Sequence, residues 1–344
     1  MRVAVYGASG YSGLELLRIL LRHPKAELIA VSSEQRAGVP VSSAFPSLRG
    51  LIHLRFEAAQ PETLAGRAEV VFTALPHAAS APLVARLRKA GIPVIDLSAD
   101  FRLRNADAYA DWYGSHPAPE LFGKAVYGLP ELRREEIRHA EFVASPGCYP
   151  TSVLLPLAPF LRAGLVETTI LVDSKSGVSG AGRTLEDQYL FAELDENCRA
   201  YKVAGSHRHV PEMEQEASAI AGEPVRVAFV PHLLPAIRGI ATSVFARPKR
   251  KLGADEAHAV LTAAYGEERF VRVLPPGETP SLASVRGSNF CDVTATVDER
   301  TGFLVLLSSL DNLVKGAGGQ AVQCMNLMRG LPEDVGLVEA PLVP

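Results

Sequence analysis

The N-terminal stretch constrains the fold more than any other part of the chain. Val3-Ala4-Val5-Tyr6 reads as a short buried strand, Gly7-Ala8-Ser9-Gly10-Tyr11-Ser12-Gly13 as a glycine turn, and Leu14 to Leu21 as a helix that His23-Pro24 closes. Glycines in such a turn let the backbone approach a pyrophosphate, and the positive N-terminus of the helix faces its charge. The spacing is GxxGxxG, a variant of the GxGxxG fingerprint, and its place between strand and helix gives it force. Gly7, Ser9, Gly10, Tyr11, Ser12 and Gly13 are therefore candidate dinucleotide contacts.

The alternation of strand and helix continues past Pro24. A second strand, Glu27 to Val31, ends in Ser32-Ser33-Glu34-Gln35-Arg36. An NAD site calls for an acidic residue at that end, whereas hydroxyls and a guanidinium suit a 2′-phosphate. Ser32, Ser33 and Arg36 thus favour NADP(H), with Glu34 dissenting. A strand over 69–75 ends in Pro76-His77, a helix covers about 78–90, and another strand covers 92–98. This β-α-β-α-β order is that of a doubly wound parallel α/β sheet, which binds ligands at strand C-terminal ends, where Pro76, His77 and Arg102 fall. Arg102 is a candidate fork for a phosphate or carboxylate. Residues 103–141 read as an elaborated connection with short helices, and 142–144 as the last strand before Cys148.

Cys148 sits in Ser145-Pro146-Gly147-Cys148-Tyr149-Pro150-Thr151, ahead of the helix-compatible run 152–161. A thiol where a helix begins is held as thiolate by unpaired N–H groups, the form that attacks carbon. Pro156 and Pro159 predict a short or kinked helix. Beyond it, a strand over 169–175 leads to the loop 176–183, whose N–H groups make Ser176, Gly177, Ser179 and Gly180 candidates to cradle an anion. His207-Arg208-His209 precedes a helix of about 211–221. Strands over 225–230, 239–246 and 303–309 and a helix over 254–265 suggest a mostly antiparallel α+β domain. Asn312 lies in the glycine-rich stretch 311–320, which makes it a further candidate cofactor contact, for phosphate or nicotinamide, and which opens a helix ending near Met328, expected to pack back on the first domain. The boundaries expected are 1–147 with 316–344 for the dinucleotide domain, and 148–315 for the catalytic and oligomerisation domain.

At 344 residues, 47% hydrophobic and 21% charged, the chain is a globular protein with two domains expected. A net charge of −3 makes no case for nucleic acid or an anionic membrane. Cys148, Cys198, Cys291 and Cys324 form no CxxC pair, which predicts no metal site, no disulfide scaffold and a reducing compartment. The first strand begins at Arg2, so no signal peptide is expected, and the cytoplasm is the default location.

GASGYSG (7–13), DLSADFRL (96–103), SPGCYPT (145–151), GSHRHVPE (205–212), PHLLPAIRGI (231–240) and DNLVKGAGGQA (311–321) run end to end along the chain. In that order they closely resemble the N-acetyl-gamma-glutamyl-phosphate reductase family. The resemblance implies a Rossmann-like domain with an α+β domain of the semialdehyde dehydrogenase type. It implies an NADPH-dependent reductase of a small acyl phosphate in arginine biosynthesis, working as a homo-oligomer, dimer or tetramer. Cys148 matches the nucleophile, and His207 and His209 match the segment of its acid–base partner, with His209 preferred. Phosphate is expected among Arg102, the 176–182 loop and the helix at Cys148, and the substrate carboxylate at Arg208 or Lys175. Rival readings are a reductase of carrier-bound aminoadipyl phosphate, aspartate-semialdehyde dehydrogenase, and a non-catalytic NADP sensor.

Overall fold

The computed structural model describes residues 1–58, 60–183 and 185–342. The chain divides into two units, Met1–Pro146 with Ala317–Val338, and Gly147–Gly316 with the segment from Glu339 onward. The tail therefore leaves the first unit earlier than the expected 316–344. The Leu342 N–H donates to the Arg286 carbonyl at 2.7 Å, which ties it to the second unit. Positions 343–344 lie outside the described residues.

The first unit holds β1 (Arg2–Tyr6), β2 (Glu27–Ser32), β3 (Phe56–Glu57), β4 (Val70–Thr73), β5 (Val94–Asp96), β6 (Val126–Tyr127) and β7 (Phe142–Ala144). They pair in parallel in the order β3-β2-β1-β4-β5-β7-β6. The chain steps outward from β1 to β3 and restarts at β4 on the other side, so the direction of winding switches between β1 and β4. In open sheets of this kind, the strand C-terminal ends at that switch bind ligands. Helices α1 (Tyr11–Leu20), α2 (Val41–Ala44), α3 (Ser80–Lys89), α4 (Ala106–Tyr113) and α5 (Pro130–Arg138) connect the strands. Helix α1 buries Leu16, Leu17 and Leu20, the apolar positions that made it legible as a helix.

The second unit holds α6 (Cys148–Arg162), β8 (Val166–Gly177), α7 (Phe191–Leu194), β9 (Arg199–Ala200), α8 (Val210–Ala221), β10 (Arg226–Leu234), β11 (Ile240–Pro248), α9 (Ala254–Tyr265), β12 (Val271–Val273), β13 (Cys291–Asp298) and β14 (Phe303–Leu310). Its sheet runs β12-β13-β14-β11-β8-β10-β9. The β8–β10 and β12–β13 pairs are parallel and the others antiparallel. Strands β12 and β13 are absent from the sequence reading. In β13, Asp292, Thr294 and Thr296 alternate with apolar residues, a period-two strand pattern that the reading passed over, and buried Asp292 pairs with Arg272 at 2.6 Å. Helices α6, α8 and α9 pack on one face of this sheet. The other face presents Leu171 and Val230, 42% and 37% exposed, with half-buried Phe245, Val305 and Leu307. A last helix, α10 (Gly319–Met328), follows a π-helical turn over Val314–Gly318 and packs on α1 and α5.

Helix α6 corrects one expectation. It is continuous over 15 residues despite Pro156 and Pro159 inside it. Each proline removes one N–H, so the carbonyls of Ser152 and Leu155, four residues earlier, lose their helical donors. Side chains from other elements replace both: the Ser308 hydroxyl donates to the Ser152 carbonyl and the Tyr265 phenol to the Leu155 carbonyl, each at 2.6 Å. Tyr265→Phe leaves the Leu155 carbonyl buried without its donor. It should lower the free energy of urea unfolding by about 1–3 kcal/mol.

Candidate active site

The C-terminal edge of the first sheet gathers the residues read as dinucleotide contacts. Gly7 follows β1 at φ +75°, and a Cβ there would lie 2.6 Å from the Ala74 carbonyl oxygen. The N–H groups of Gly7 and Ala8 both donate to the Ser32 carbonyl at 3.2 Å, pinning the turn to the end of β2. A Cβ on Gly13 would meet Ala8 Cα at 2.4 Å. Gly10 is different, since a Cβ there meets nothing within 4 Å. It caps α1 without a side-chain hydrogen bond, and the first turn, which includes Tyr11 and Ser12, carries no acid. Two of the glycines serve the fold, and the third leaves room for an anionic group over a helix N-terminus.

Strand β2 ends in buried Ser32 and Ser33, and half-buried Arg36 closes the short turn after them. Arg36 makes no ion pair among the described residues. After β4 and Pro76, His77 places Nδ1 2.9 Å from Asp100 and its ring 4.7 Å from that of Tyr113. The buried Asp100 carboxylate also accepts the N–H groups of Ala78 and Ala81 at 2.9 and 3.0 Å, holding Ala78 at φ +65° and starting α3. Asp96 accepts hydroxyls of Thr73, Ser80 and Ser98 at 2.6, 2.5 and 2.5 Å. Burial raises the Asp96 carboxyl above its ordinary range, and those three bonds oppose the rise. Arg102 donates from Nε to the Ser145 carbonyl at 2.8 Å and from Nη2 to the Leu97 carbonyl at 2.7 Å, a strut across two strand ends.

In the second unit, half-buried Cys148 is the first residue of α6, and Gly147 caps the helix with no side-chain bond and no acid in the first turn. Nothing in that turn competes with a thiolate for the helix N-terminus. The Gly147 N–H donates to the buried Glu212 carboxylate at 2.8 Å. A Cβ on Gly147 would lie 2.6 Å from His209 Nε2, so only glycine lets this imidazole press against the backbone beside the thiol. Gly316 is equally close on another side, where a Cβ would lie 2.8 Å from Cys148 Cβ.

His207 sits deeper, 8% exposed, among the rings of Tyr149, Tyr201, Phe229 and His209. Its Nδ1 accepts the His209 N–H at 3.1 Å, which leaves the proton of the neutral ring on Nε2, 3.5 Å from the Tyr201 hydroxyl. Tyr201 donates to Tyr149 at 3.2 Å, and Tyr149 to the His232 carbonyl at 3.4 Å. Burial, helped by the charges of Lys202 and Arg208, lowers the His207 pKa to about 4. Burial, their mutual contact and a negative charge at Cys148 raise the Tyr149 phenol. Burial and the same charge raise that of Tyr201. Both phenols therefore remain donors.

Several candidates have other partners than expected. The N–H groups of Gly177, Val178 and Ser179 donate to the carbonyls of Gly239, Ala236 and Ile237 at 2.8, 2.9 and 3.1 Å. They line no open cradle, because this part of the loop is bonded to a neighbouring turn. Ser176 belongs to β8 and donates to the Gly177 carbonyl at 2.9 Å, and a Cβ on Gly180 would lie 3.1 Å from its hydroxyl. Asn312 is a brace: its oxygen accepts the Gly239 N–H at 2.7 Å and its amide donates to Ser179 at 2.9 Å. Lys175 pairs with Asp173 at 2.5 Å on the face away from α6, since its neighbour Ser174 faces the helix layer through Thr242 and Ser152. Arg208 is exposed between the two histidines.

Residues 2–140 match the family described as semialdehyde dehydrogenase, NAD binding domain, and residues 148–312 the semialdehyde dehydrogenase, dimerisation domain. N-acetyl-gamma-glutamyl-phosphate reductases of Citrifermentans bemidjiense and Geobacter sulfurreducens are each 52% identical to this chain over the whole length of both proteins. The chain belongs to the N-acetyl-gamma-glutamyl-phosphate reductase family. Among solved structures, aspartate semialdehyde dehydrogenase II of Vibrio cholerae, complexed with ASA, shares the fold at TM-score 0.74 and 19% identity, covering 96% of this chain and 98% of its own. The Candida albicans aspartate semialdehyde dehydrogenase with NADP shares it at TM-score 0.72 and 16% identity, covering 97% and 99%. No helix among the described residues is long and apolar enough to cross a membrane.

In this reductase-family chain, the sequence reading overlooked Glu212, Gly316 and Tyr201 as parts of the cysteine's surroundings. Glu212 had a usable signal, an acid one residue after Pro211 in the first turn of a helix. Gly316 and Tyr201 had none, because Gly316 meets Cys148, and Tyr201 meets Tyr149, across long sequence separations.

Gly10→Ala should fold normally yet weaken NAD(P)H binding by roughly 1–3 kcal/mol, while Gly13→Ala should lose a similar amount of folding stability. Titration of reduced-nicotinamide fluorescence and urea melts separate the two. His207, with a folded pKa below its unfolded value, contributes stability that is present above pH ~6.5 and lost as pH falls towards ~4. Over that window His207→Asn should flatten the pH dependence of unfolding by up to about 1.4 kcal/mol per pH unit relative to wild type.

Proposed function

We propose that this chain reduces N-acetyl-gamma-glutamyl phosphate to N-acetylglutamate semialdehyde and phosphate, as an NADPH-dependent oxidoreductase of arginine biosynthesis in the cytoplasm, acting as a homo-oligomer. The observation that carries the reading is Cys148 at the first position of α6 with His209 Nε2 against the adjoining Gly147. That pairing of an activated thiol and a histidine is what an acyl phosphate needs, because a poor nucleophile and an unprotonated leaving group both slow acyl transfer.

In this reading the Cys148 sulfur bonds the acyl carbon, the carbon–oxygen bond to phosphate breaks, and a thioester remains. His209 takes the thiol proton and passes it to the departing phosphate. A bound nicotinamide supplies the hydride that brings the thioester to the aldehyde level. His209 then delivers a solvent proton to sulfur as the carbon–sulfur bond breaks and the thiol is regenerated. Neutral His207 holds the His209 backbone and does not titrate near neutrality. Glu212 fixes the Gly147 N–H, and with it the start of α6. Arg208, exposed beside both histidines, is preferred for the substrate carboxylate over Lys175, which lies on the sheet face away from α6. For the cofactor, the glycine turn takes the pyrophosphate and Arg36 the 2′-phosphate that distinguishes NADP from NAD.

The direct test follows NADPH formation from NADP, inorganic phosphate and N-acetylglutamate semialdehyde, with aspartate semialdehyde run in parallel. Turnover that needs phosphate and the acetylated substrate is expected. Silence in protein that binds NADPH would contradict the assignment. Cys148→Ser should retain NADPH binding and lose turnover, while His209→Asn should cost about 10²–10⁴-fold in kcat. Arg36→Ala should weaken NADPH far more than NADH, read by binding titration with each.

A further inference from the structure

The groups suited to passing an acyl group to sulfur and those suited to holding a dinucleotide fall in different units. Gly147, Cys148, Tyr149, His209 and Glu212 belong to the second, whereas the glycine turn, Arg36 and His77 belong to the first. Acyl transfer from an activated donor to a thiol needs a nucleophile, a base and a hydrogen-bond donor for the developing oxyanion, and no redox partner. The second unit supplies all of these by itself.

The nucleophile and the base are Cys148 and His209, each half-buried and so within reach of water. The oxyanion donor is a backbone N–H. Tyr149 is the second residue of α6, and its N–H points out of the helix start with no partner among the described residues. Pro150 after it has no N–H, and that of Thr151 already donates to the Gly147 carbonyl at 3.0 Å. The turn thus leaves the Tyr149 N–H open one residue from the sulfur. Glu212 holds the cap of this helix through the Gly147 N–H, and His207 Nδ1 holds the His209 backbone. Both supports come from the second unit, so the geometry is set without a bound cofactor.

We propose that this site also hydrolyses activated esters and acyl phosphates in the absence of any nicotinamide, as a cysteine-dependent hydrolase. The inference rests on Cys148 and His209 being the acyl-transfer pair, and not on the cofactor. The Cys148 sulfur bonds the acyl carbon, and the bond from that carbon to the leaving oxygen breaks. Water then adds to the thioester carbon and gives a proton to His209. The carbon–sulfur bond breaks, its electron pair returns to sulfur, and His209 returns the proton as the carboxylic acid leaves. Water is a weaker nucleophile than a thiolate, so deacylation is the slower step and the acyl-enzyme builds up ahead of it. Acid and aldehyde are then alternative fates of one thioester, set by whether water or hydride reaches it first.

The test gives p-nitrophenyl acetate to the full chain, free of nicotinamide, and follows nitrophenolate absorbance. Wild type should release about one equivalent per chain in a fast phase and continue at a slower steady rate. Cys148→Ser should lose both phases, and His209→Asn should slow the steady rate by about 10²–10⁴-fold, with circular dichroism checking that each variant is folded. Given N-acetyl-gamma-glutamyl phosphate, wild type should form N-acetylglutamate faster than Cys148→Ser does, and added NADPH should divert that product to the semialdehyde. Release that is undiminished in Cys148→Ser, or that stops after the first equivalent, overturns the hydrolase. Protein that reduces the acyl phosphate but hydrolyses neither compound also overturns it and leaves the reductase reading standing. Protein that turns over the ester but reduces no acyl phosphate supports the hydrolase and overturns the reductase reading.

Discussion

The bond from the Gly147 N–H to the Glu212 carboxylate is the interaction on which the rest of the cysteine's surroundings depends. It joins the first turn of α8 to the cap of α6, two elements far apart in sequence. With that distance fixed, the His209 ring lies against the Gly147 Cα, a contact any side chain would block. A carboxylate bound to a backbone N–H near a helix start is favoured by charge, and its burial makes the bond costly to break. Glu212 therefore supplies rigidity to a thiol and an imidazole that both sit at helix N-termini, where the chain would otherwise fray.

The same logic of replaced donors runs through the second unit. Prolines in α6 remove two helical hydrogen bonds, and Ser308 and Tyr265 restore them from β14 and the end of α9. Loop 177–179 gives its N–H groups to the turn at 236–239, and Asn312 braces both. These arrangements spend polar groups on holding backbone and leave few of them open to a ligand. In the first unit the division is different. Asp96 and Asp100 carry the structural bonds beneath the strand ends, and the glycine turn above stays open at Gly10.

How much of this was legible in the sequence depended on whether the signal was local. The β-α alternation, the glycine turn and the histidine pair at a helix start are patterns within a dozen residues, and the parallel sheet and strand-end placements came from them. Helix α6 was misjudged because its stability comes from Ser308 and Tyr265, more than a hundred residues away. Strand β13 had a legible period-two alternation that went unread, whereas the burial of Asp292 against Arg272 was not visible in sequence. The loop at 176–182 was read as open because glycine and serine content says nothing about whether N–H groups are already taken. His209 was preferred to His207 in sequence, but the physical difference between them was not visible there. Their difference lies in an aromatic cage contributed by Tyr149, Tyr201 and Phe229.

The central claim is that Cys148 carries the acyl group, and intact-protein mass spectrometry tests it most directly. Protein mixed with N-acetyl-gamma-glutamyl phosphate and no cofactor should gain the mass of one N-acetylglutamyl group. Digestion should place that mass on the peptide containing Cys148, and hydroxylamine should remove it. An unmodified Cys148 in protein that still releases phosphate from the substrate, or an acyl group on any other residue, would contradict the account.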